Sequence, residues 1–264
     1  MKVAVIGTGV MGSAFSRHFA KKNSVILFDR DKTKTEALAK EIGAVFQGNV
    51  DEAVKSADVV LLAVKPKNLS EIAAAAKAAF TPGKLLISIL AGTPLSILKR
   101  HFPYASIVRS MPNLAITCGE GVIGLVEDPH LSKDDKKTVE SLLEKVGLTV
   151  WMSEDKIEAL TAISGSGIGF WFVIIEAMID GGVHLGFTAQ ESRELVLKTL
   201  DGAVAMMRES GKHPAELKLD ISSPGGTTMA GLKVMEALGV RSGIIHTLAA
   251  CHEKALNMMK SLEK

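Results

Sequence analysis

The chain has 264 residues, 47% of them hydrophobic and 23% charged. It is therefore long and apolar enough to bury the core of one large or two ordinary domains, and it is not a disordered segment. Its 31 basic and 29 acidic side chains leave a net charge of +2, with no basic block or stripe. That argues against a nucleic-acid or anionic-membrane surface.

The opening MKVAVIGTGVMG sets the pattern. Val3, Val5 and Ile6 read as a short buried strand that starts at Lys2. That start leaves no room for a leader peptide and points to the cytoplasm. Gly7-Thr8-Gly9-Val10-Met11-Gly12 follows at once. In this spacing Gly7 permits a tight turn, Gly9 lets backbone approach a pyrophosphate, and Gly12 lets the next helix, from Ser13 to about Lys22, pack close to the strand. That helix would aim free N–H groups at the phosphates. The next strand, Val25–Asp29, ends on an acidic residue at the distance expected for a ribose contact.

Further along, Lys32–Ile42 has helical spacing, Ala44–Gln47 is a short strand, Asp51–Ser56 a helix and Val59–Val64 a fully buried strand. Asn68–Phe80 is helical, Leu85–Leu90 a strand, Pro94–His101 a helix and Ser106–Met111 a strand. Val122–Glu127, Lys133–Val146 and Leu148–Met152 read as strand, helix and strand. This alternation predicts an α/β fold with a parallel, doubly wound sheet. No strand is expected after Ser153. Helices are expected at Lys156–Gly181, Thr188–Ser210, His213–Leu219, Thr228–Leu238 and Arg241–Leu262. The boundary therefore falls between a nucleotide-binding domain, 1–153, and an all-helical domain, 154–264. The uncharged run Ala159–Ile175 is at the short limit for a membrane span and carries hydroxyls and glycines. It reads instead as a buried helix or a subunit interface, so no membrane association is expected. The apolar faces of the helical half, such as Leu195, Leu200, Val204 and Met207, favour an oligomer. Cys118 and Cys251 match no metal-ligand spacing, so no metal site is expected. They read as buried free thiols in a reducing compartment.

Ligands of such sheets bind at the carboxyl ends of strands. Four ends are candidates: the glycine loop, Asp29-Arg30-Asp31-Lys32, Ala63-Val64-Lys65-Pro66 and Leu90-Ala91-Gly92. Asp29 favours a free ribose diol and repels a 2′-phosphate, whereas Arg30 suits that phosphate or stacks on adenine. Lys65 reads equally as a charge near a nicotinamide or as an edge lysine before a proline turn. A second constellation, Ser222-Ser223-Pro224-Gly225-Gly226-Thr227-Thr228, precedes a helix and would make a concave array of N–H groups for a carboxylate or phosphate. The plain alternative is a loop with a Thr N-cap. A third, Ile163-Ser164-Gly165-Ser166-Gly167, places glycines inside a helical segment, either for close packing or for proximity to a cofactor ring.

Taken together, GTGVMG (7–12), ADVVLLAVKP (57–66), VRSMPN (108–113), LTAISGSG (160–167), HPAELK (213–218) and SSPGGTTMAGL (222–232) resemble the pyrroline-5-carboxylate reductase family over nearly the whole chain. The last of these is the most specific. Departures are mild: Ile168-Gly169-Phe170 stands where the family has Pro-Ala-Tyr, MPNLA replaces MPNTP, and Asp29-Arg30 replaces a Ser or Asn-Arg. The resemblance implies a Rossmann-type dinucleotide-binding domain followed by a helical dimerisation domain. It implies reduction of 1-pyrroline-5-carboxylate to L-proline with NADPH or NADH, the last step of proline biosynthesis. It places the substrate carboxylate on amides around Ser223, Gly225, Gly226, Thr227 and Thr228, and gives the Thr228 hydroxyl the ring nitrogen. It sets Lys65-Pro66 and Ala91 along the nicotinamide, with Gly7 to Gly12, Asp29, Arg30, Ala63 and Val64 on the rest of the coenzyme. It also implies homodimers, often five in a ring.

No general acid is expected, because a protonated imine is already electrophilic and hydride transfer discharges its charge. None of the histidines is assigned to catalysis. The rival readings are a β-hydroxyacid dehydrogenase or another imine reductase, and a sensor that binds a dinucleotide without turnover. The first would need a lysine in GSGIGFWFVIIEAM, which has none. The sensor would have no use for the 223–228 cradle.

Overall fold

The computed structural model describes residues 1–262. Its first part is an alternation of β1 (Lys2–Ile6), α1 (Val10–Phe19), β2 (Ser24–Phe28), α2 (Lys32–Ile42), β3 (Val45–Phe46), α3 (Val50–Lys55) and β4 (Val59–Leu62). It continues with α4 (Leu69–Ala76), β5 (Leu85–Ser88), α5 (Leu95–His101), β6 (Ser106–Pro112), β7 (Gly121–Glu127), α6 (Lys133–Leu142) and β8 (Gly147–Trp151). The eight strands form one sheet in the order β3-β2-β1-β4-β5-β6-β7-β8. Strand order reverses between β1 and β4, the switch point at which doubly wound sheets bind ligands.

Alternate strand residues feed opposite faces. Ala4, Ile6, Val60 and Leu62 pack with Val54, Ala73 and Leu98 from α3, α4 and α5. Val3, Val5 and Leu61 pack with Phe15, Phe19, Leu38 and Val139 from α1, α2 and α6. Burial on both faces is why these strands are unbroken apolar runs.

The sheet departs from the all-parallel expectation at one junction, where β7 runs antiparallel to β6. The link 113–120 between them is too short for a parallel crossover, which takes about a dozen residues or more. Both cysteines are free, but Cys118 is exposed and Cys251 only half-buried, a correction to the buried reading. Cys118 closes a short helical turn, Leu114–Cys118, which holds it at the surface.

The remaining elements are helical: α7 (Ile157–Leu160), a π-helical turn at Thr161–Ser166, α8 (Gly167–His184), α9 (Ala189–Ser210), α10 (Pro214–Asp220), α11 (Thr227–Ala237) and α12 (Val240–Leu262). The expected single helix from Lys156 is thus interrupted by the π turn. By contacts, one compact unit is Met1–Gly165 with the end of α12 from Cys251, and the other is Ser166–Ala250.

In the second unit α8 lies against α9. A side chain on Gly182 would collide with Ser192, whose Oγ donates to the Ile179 carbonyl at 2.7 Å. Thr188 caps α9 with a reciprocal bond from Glu191. Among the described residues, α10 and α11 bury none, and Trp171, Phe172, Val173, Leu185 and Leu238 are largely bare. The run Glu154–His184 is long and apolar enough to cross a membrane by length and composition alone.

Candidate active site

The glycine loop is built by close approach. Gly7 donates its N–H to the Phe28 carbonyl at 2.8 Å and holds φ +103, and a Cβ there would lie 2.8 Å from the Ala63 carbonyl carbon and oxygen. Gly12 sits inside α1, which starts at Val10 instead of the expected Ser13. A Cβ on Gly12 would run into the Gly7 carbonyl oxygen, so helix and strand meet only because that position is bare. Gly9 differs from both: nothing lies within 4 Å of where its Cβ would be. It is the N-cap of α1 and offers no side-chain capping bond, so the first amides of that helix stay available to an anion. Thr8 and Gly12 are buried, Met11 is half-buried, and Val10 is exposed at the start of the helix.

Asp29 follows β2 and turns toward this loop. Its Oδ2 accepts from the Thr8 N–H at 2.6 Å and from the Thr8 Oγ1 at 3.3 Å, and its Oδ1 accepts from the Asp31 N–H at 3.1 Å. Thr8 Oγ1 also meets Thr35 Oγ1 at 2.8 Å. Asp29 therefore ties the glycine loop to the start of α2. Arg30 is exposed and pairs with Glu71 at 3.3 Å. Ala63, whose N–H donates to the Ile6 carbonyl at 2.8 Å, begins the segment after β4. Val64 and Pro66 are half-buried there, and Lys65 is exposed before the short turn Pro66–Asn68. Ala91 is exposed just past β5. Gly7, Ala63 and Ala91 thus follow β1, β4 and β5, which run parallel, so they share the carboxyl edge of the sheet.

A dinucleotide fits these residues. The loop has two positions that admit no side chain, one that opens on free space, and an uncapped helix start for a pyrophosphate.

The second cradle lies in the helical unit. Gly225 holds φ +71 and the Gly226 N–H donates to the Ser223 carbonyl at 3.0 Å. The helix α11 starts at Thr227, one residue earlier than expected, with Gly226 as an N-cap that makes no side-chain bond. Neither Thr227 nor Thr228 caps it, so the plain reading of this stretch as a Thr-capped loop fails. Ser223 and Thr227 are exposed, and Thr228 is half-buried.

Two further sets of polar residues escape periodicity. Arg109 on β6 is 2% exposed and bonds Glu154 Oε1 at 3.0 Å and Glu158 Oε1 at 2.6 Å. Glu154 Oε1 also accepts from the Leu95 N–H at 2.8 Å. Asn113, just past β6, is buried and bonds both Val122 and Ser164. Their motif, VRSMPN, was legible as a family signature but not as a set of tethers.

His18 on α1 is half-buried with Nε2 at 3.1 Å from the Leu142 carbonyl. Burial pushes its pKa below the ordinary value. His213 caps α10 by accepting the Ala215 N–H at 3.2 Å. Among the described residues, no group of three or more His, Cys, Asp or Glu side chains is placed to hold a metal ion.

Known proteins resemble the chain along its whole length. Residues 154–258 match the model for pyrroline-5-carboxylate reductase dimerisation, and residues 2–92 match that for NADP oxidoreductases, coenzyme F420-dependent. The pyrroline-5-carboxylate reductase of Aquifex aeolicus is 33% identical over 97% of this chain and 96% of its own length. That of Synechocystis sp. is 34% identical over 98% and 99%. The crystal structure of Plasmodium falciparum pyrroline carboxylate reductase with NADP bound superposes with a TM-score of 0.90 at 29% identity, covering 98% of both chains. With a third of its residues shared end to end and both of its parts matched, the chain belongs to the pyrroline-5-carboxylate reductase family.

Proposed function

We propose that this protein reduces 1-pyrroline-5-carboxylate to L-proline, the last step of proline biosynthesis, with NADPH or NADH as hydride donor. The observation that carries the reading is that one chain, near-identical in length to its reductase relatives, leaves the amides at two glycine-started helices uncapped. One suits a pyrophosphate and the other a carboxylate.

The coenzyme supplies a hydride when bound. Gly7 to Gly12 hold its pyrophosphate, Asp29 and Arg30 its adenosine end, and Ala63-Val64-Lys65-Pro66 and Ala91 its nicotinamide side. The amides of Ser223, Gly225, Thr227 and Thr228 hold the substrate carboxylate, Gly226 shapes the turn because its own N–H is spent on the Ser223 carbonyl, and the Thr228 hydroxyl hydrogen-bonds the ring nitrogen. The substrate reacts as the iminium. Hydride adds to the C=N carbon, the nitrogen keeps the former π pair, and solvent protonates the resulting amine. Positive charge is discharged, so the chain needs to orient and desolvate rather than to deliver a proton in the transition state.

Residues 1–153 serve the coenzyme, and residues 154–264 the substrate and dimerisation. The bare apolar helices fit a homodimer interface better than a lipid contact, because the matched dimerisation segment contains them. Five such dimers in a ring, in the cytoplasm, is the assembly we propose. The purified protein is expected to oxidise NAD(P)H only when the imine acid is present. Thr228→Ala should lower kcat/KM by about tenfold or more, in line with loss of an orienting hydrogen bond in the transition state. Tight coenzyme binding with no oxidation would favour the sensor.

A further inference from the structure

The reductase reading gives Asn113 no task, yet four hydrogen bonds converge on it, one of them from the Ile116 N–H to its carbonyl at 3.4 Å. Its backbone N–H donates to the Val122 carbonyl at 3.1 Å. Its Oδ1 accepts from the Val122 N–H at 3.0 Å, and its Nδ2 donates to the Ser164 carbonyl at 3.1 Å. The residue is 6% exposed, so each bond is made away from competing water.

Its place in the sheet gives these bonds meaning. β6 runs parallel to β5, so Asn113 leaves the sheet on the same carboxyl edge as Gly7, Ala63 and Ala91. Ser164 belongs to the π-helical turn Thr161–Ser166. Such a turn inserts a residue into the α ladder, is rare, and is found frequently at functional sites. Thr161 Oγ1 and Ser164 Oγ donate back to the Ile157 and Leu160 carbonyls at 2.8 and 3.0 Å, and the end of β6 adds two contacts from outside the helix. Asn113 Nδ2 bonds its Ser164 carbonyl. Gly165 offers no side chain toward Met111, whose Cε would lie 3.3 Å from a Cβ at that position. Both Met111 and Asn113 are in the MPN segment, so the end of β6 ties the turn at Ser164 and lies close beside it at Gly165.

We propose that Asn113 is a positioning residue for hydride transfer: it fixes the Thr161–Ser166 π turn at the carboxyl edge of the sheet, where that turn walls the nicotinamide end of the coenzyme crevice. The proposal rests on the reductase reading. Both polar atoms of its side chain are spent on Val122 and Ser164, so no direct contact with substrate or coenzyme is assigned to Asn113. It acts through the shape of the turn, and an error of about 1 Å there is enough to misalign donor and acceptor carbons.

Asn113→Asp separates its two ties. A carboxylate still accepts the Val122 N–H but has no proton to donate to the Ser164 carbonyl. Asn113→Ser is the second variant, because its hydroxyl is too short to span that gap and it adds no buried charge. Both are made in the full-length protein and assayed well below their unfolding midpoints. Three quantities are read: amide hydrogen exchange across 161–166, the NADPH dissociation constant without the imine acid, and kcat and KM with it. In at least the serine variant, exchange across the turn should quicken about tenfold or more. The kcat should fall by at least about tenfold, while the NADPH dissociation constant stays within about threefold, since the pyrophosphate and adenosine contacts are elsewhere. Faster exchange with unchanged kcat overturns the proposal. So does unchanged exchange, or a loss of kcat matched by an equal loss of NADPH binding. If the parent protein does not oxidise NADPH with the imine acid, the reductase reading fails instead, and the exchange arm still decides whether Asn113 holds the turn.

Discussion

The latch that Asp29 makes to Thr8 and the coenzyme contact proposed for it can be separated by a pair of substitutions. Its carboxylate takes the Thr8 N–H at 2.6 Å, and Thr8 is 1% exposed. Asp29→Ser shortens the side chain so that it no longer reaches, and the buried N–H loses its acceptor. A hydrogen bond to a charged group is worth about 1.5–3 kcal/mol and an orphaned buried donor costs about 1–3, two views of one loss, so about 2 kcal/mol is expected. At about 2–4 °C per kcal/mol for a chain of this size, the coenzyme-free midpoint should drop by about 4–8 °C. Because the glycine loop is then less ordered, NADH and NADPH should both bind more weakly. Asp29→Asn retains an oxygen for the Thr8 N–H and removes only the charge. It should keep the midpoint within about 2 °C. It should weaken NADH by about tenfold through a poorer ribose contact, yet leave NADPH nearly unchanged because the 2′-phosphate no longer meets an anion. Differential scanning calorimetry and fluorescence titration with each coenzyme read these values. An unaltered midpoint in Asp29→Ser, or a loss of NADH binding alone in that variant, would refute the latch.

Arg109→Met should cost about 3–5 kcal/mol in urea unfolding, because the Glu158 carboxylate, 4% exposed, is left buried without its partner. The double change Arg109→Met, Glu158→Leu should recover a large part of that loss, and failure to do so would show that the pair does more than neutralise itself. The pKa of His18 lies below its ordinary value near 6.5 because burial disfavours the imidazolium. The unfolded chain therefore binds its proton first. The stability this group contributes is complete above pH 6.5 and is lost as pH falls toward the depressed folded value. His18→Gln should flatten the acid limb of the midpoint-versus-pH curve, and an unchanged limb would place the sensitivity elsewhere. Gly9→Ala meets open space, so the midpoint should stay within about 2 °C while coenzyme affinity falls by about tenfold, checked by the same calorimetry and titration.

The sheet was legible because strands buried on both faces are written as runs such as VAVI, VVLL and LLIS, with helices in the gaps. The glycine loop was legible because three glycines at fixed offsets have three separate steric reasons. The start of α1 was not. Gly12 reads as the close-packing residue just ahead of a helix from Ser13, whereas the structure has it inside α1, where a side chain would run into the Gly7 carbonyl. The antiparallel junction turns on the length of the link after β6, which the expected elements already contained but which strand patterning does not register. The π turn had no local signal strong enough to find it. LTAISGSG looks like a helix with two costly glycines, and the tie at Ser164 comes from Asn113, 51 positions earlier. Glu154 and Glu158 are spaced one helical turn apart, which marks a shared face, yet nothing in that spacing points to Arg109 as the cation between them.

Helix starts reveal how the chain divides its polar work. Asp31, Asn49, Ser132, Thr188 and His213 each cap a helix with a side-chain acceptor. The helices α4, α5, α7 and α8 start at Asn68, Pro94, Lys156 and Ser166 without a side-chain cap, and α1 and α11 begin at Gly9 and Gly226, which have no side chain to offer. Glycine at an N-cap loses only a few tenths of a kcal/mol against a good cap, so the sacrifice in stability is small. Its effect is to leave amides pointing outward with a positive dipole end behind them. A helix whose first amides are already satisfied by its own side chain competes with an incoming anion, and one begun by glycine does not. In the proposed reaction a pyrophosphate and a carboxylate would meet the two glycine-begun starts, where, unlike the uncapped starts at Asn68, Pro94, Lys156 and Ser166, the N-cap has no side chain to stand between the amides and an anion.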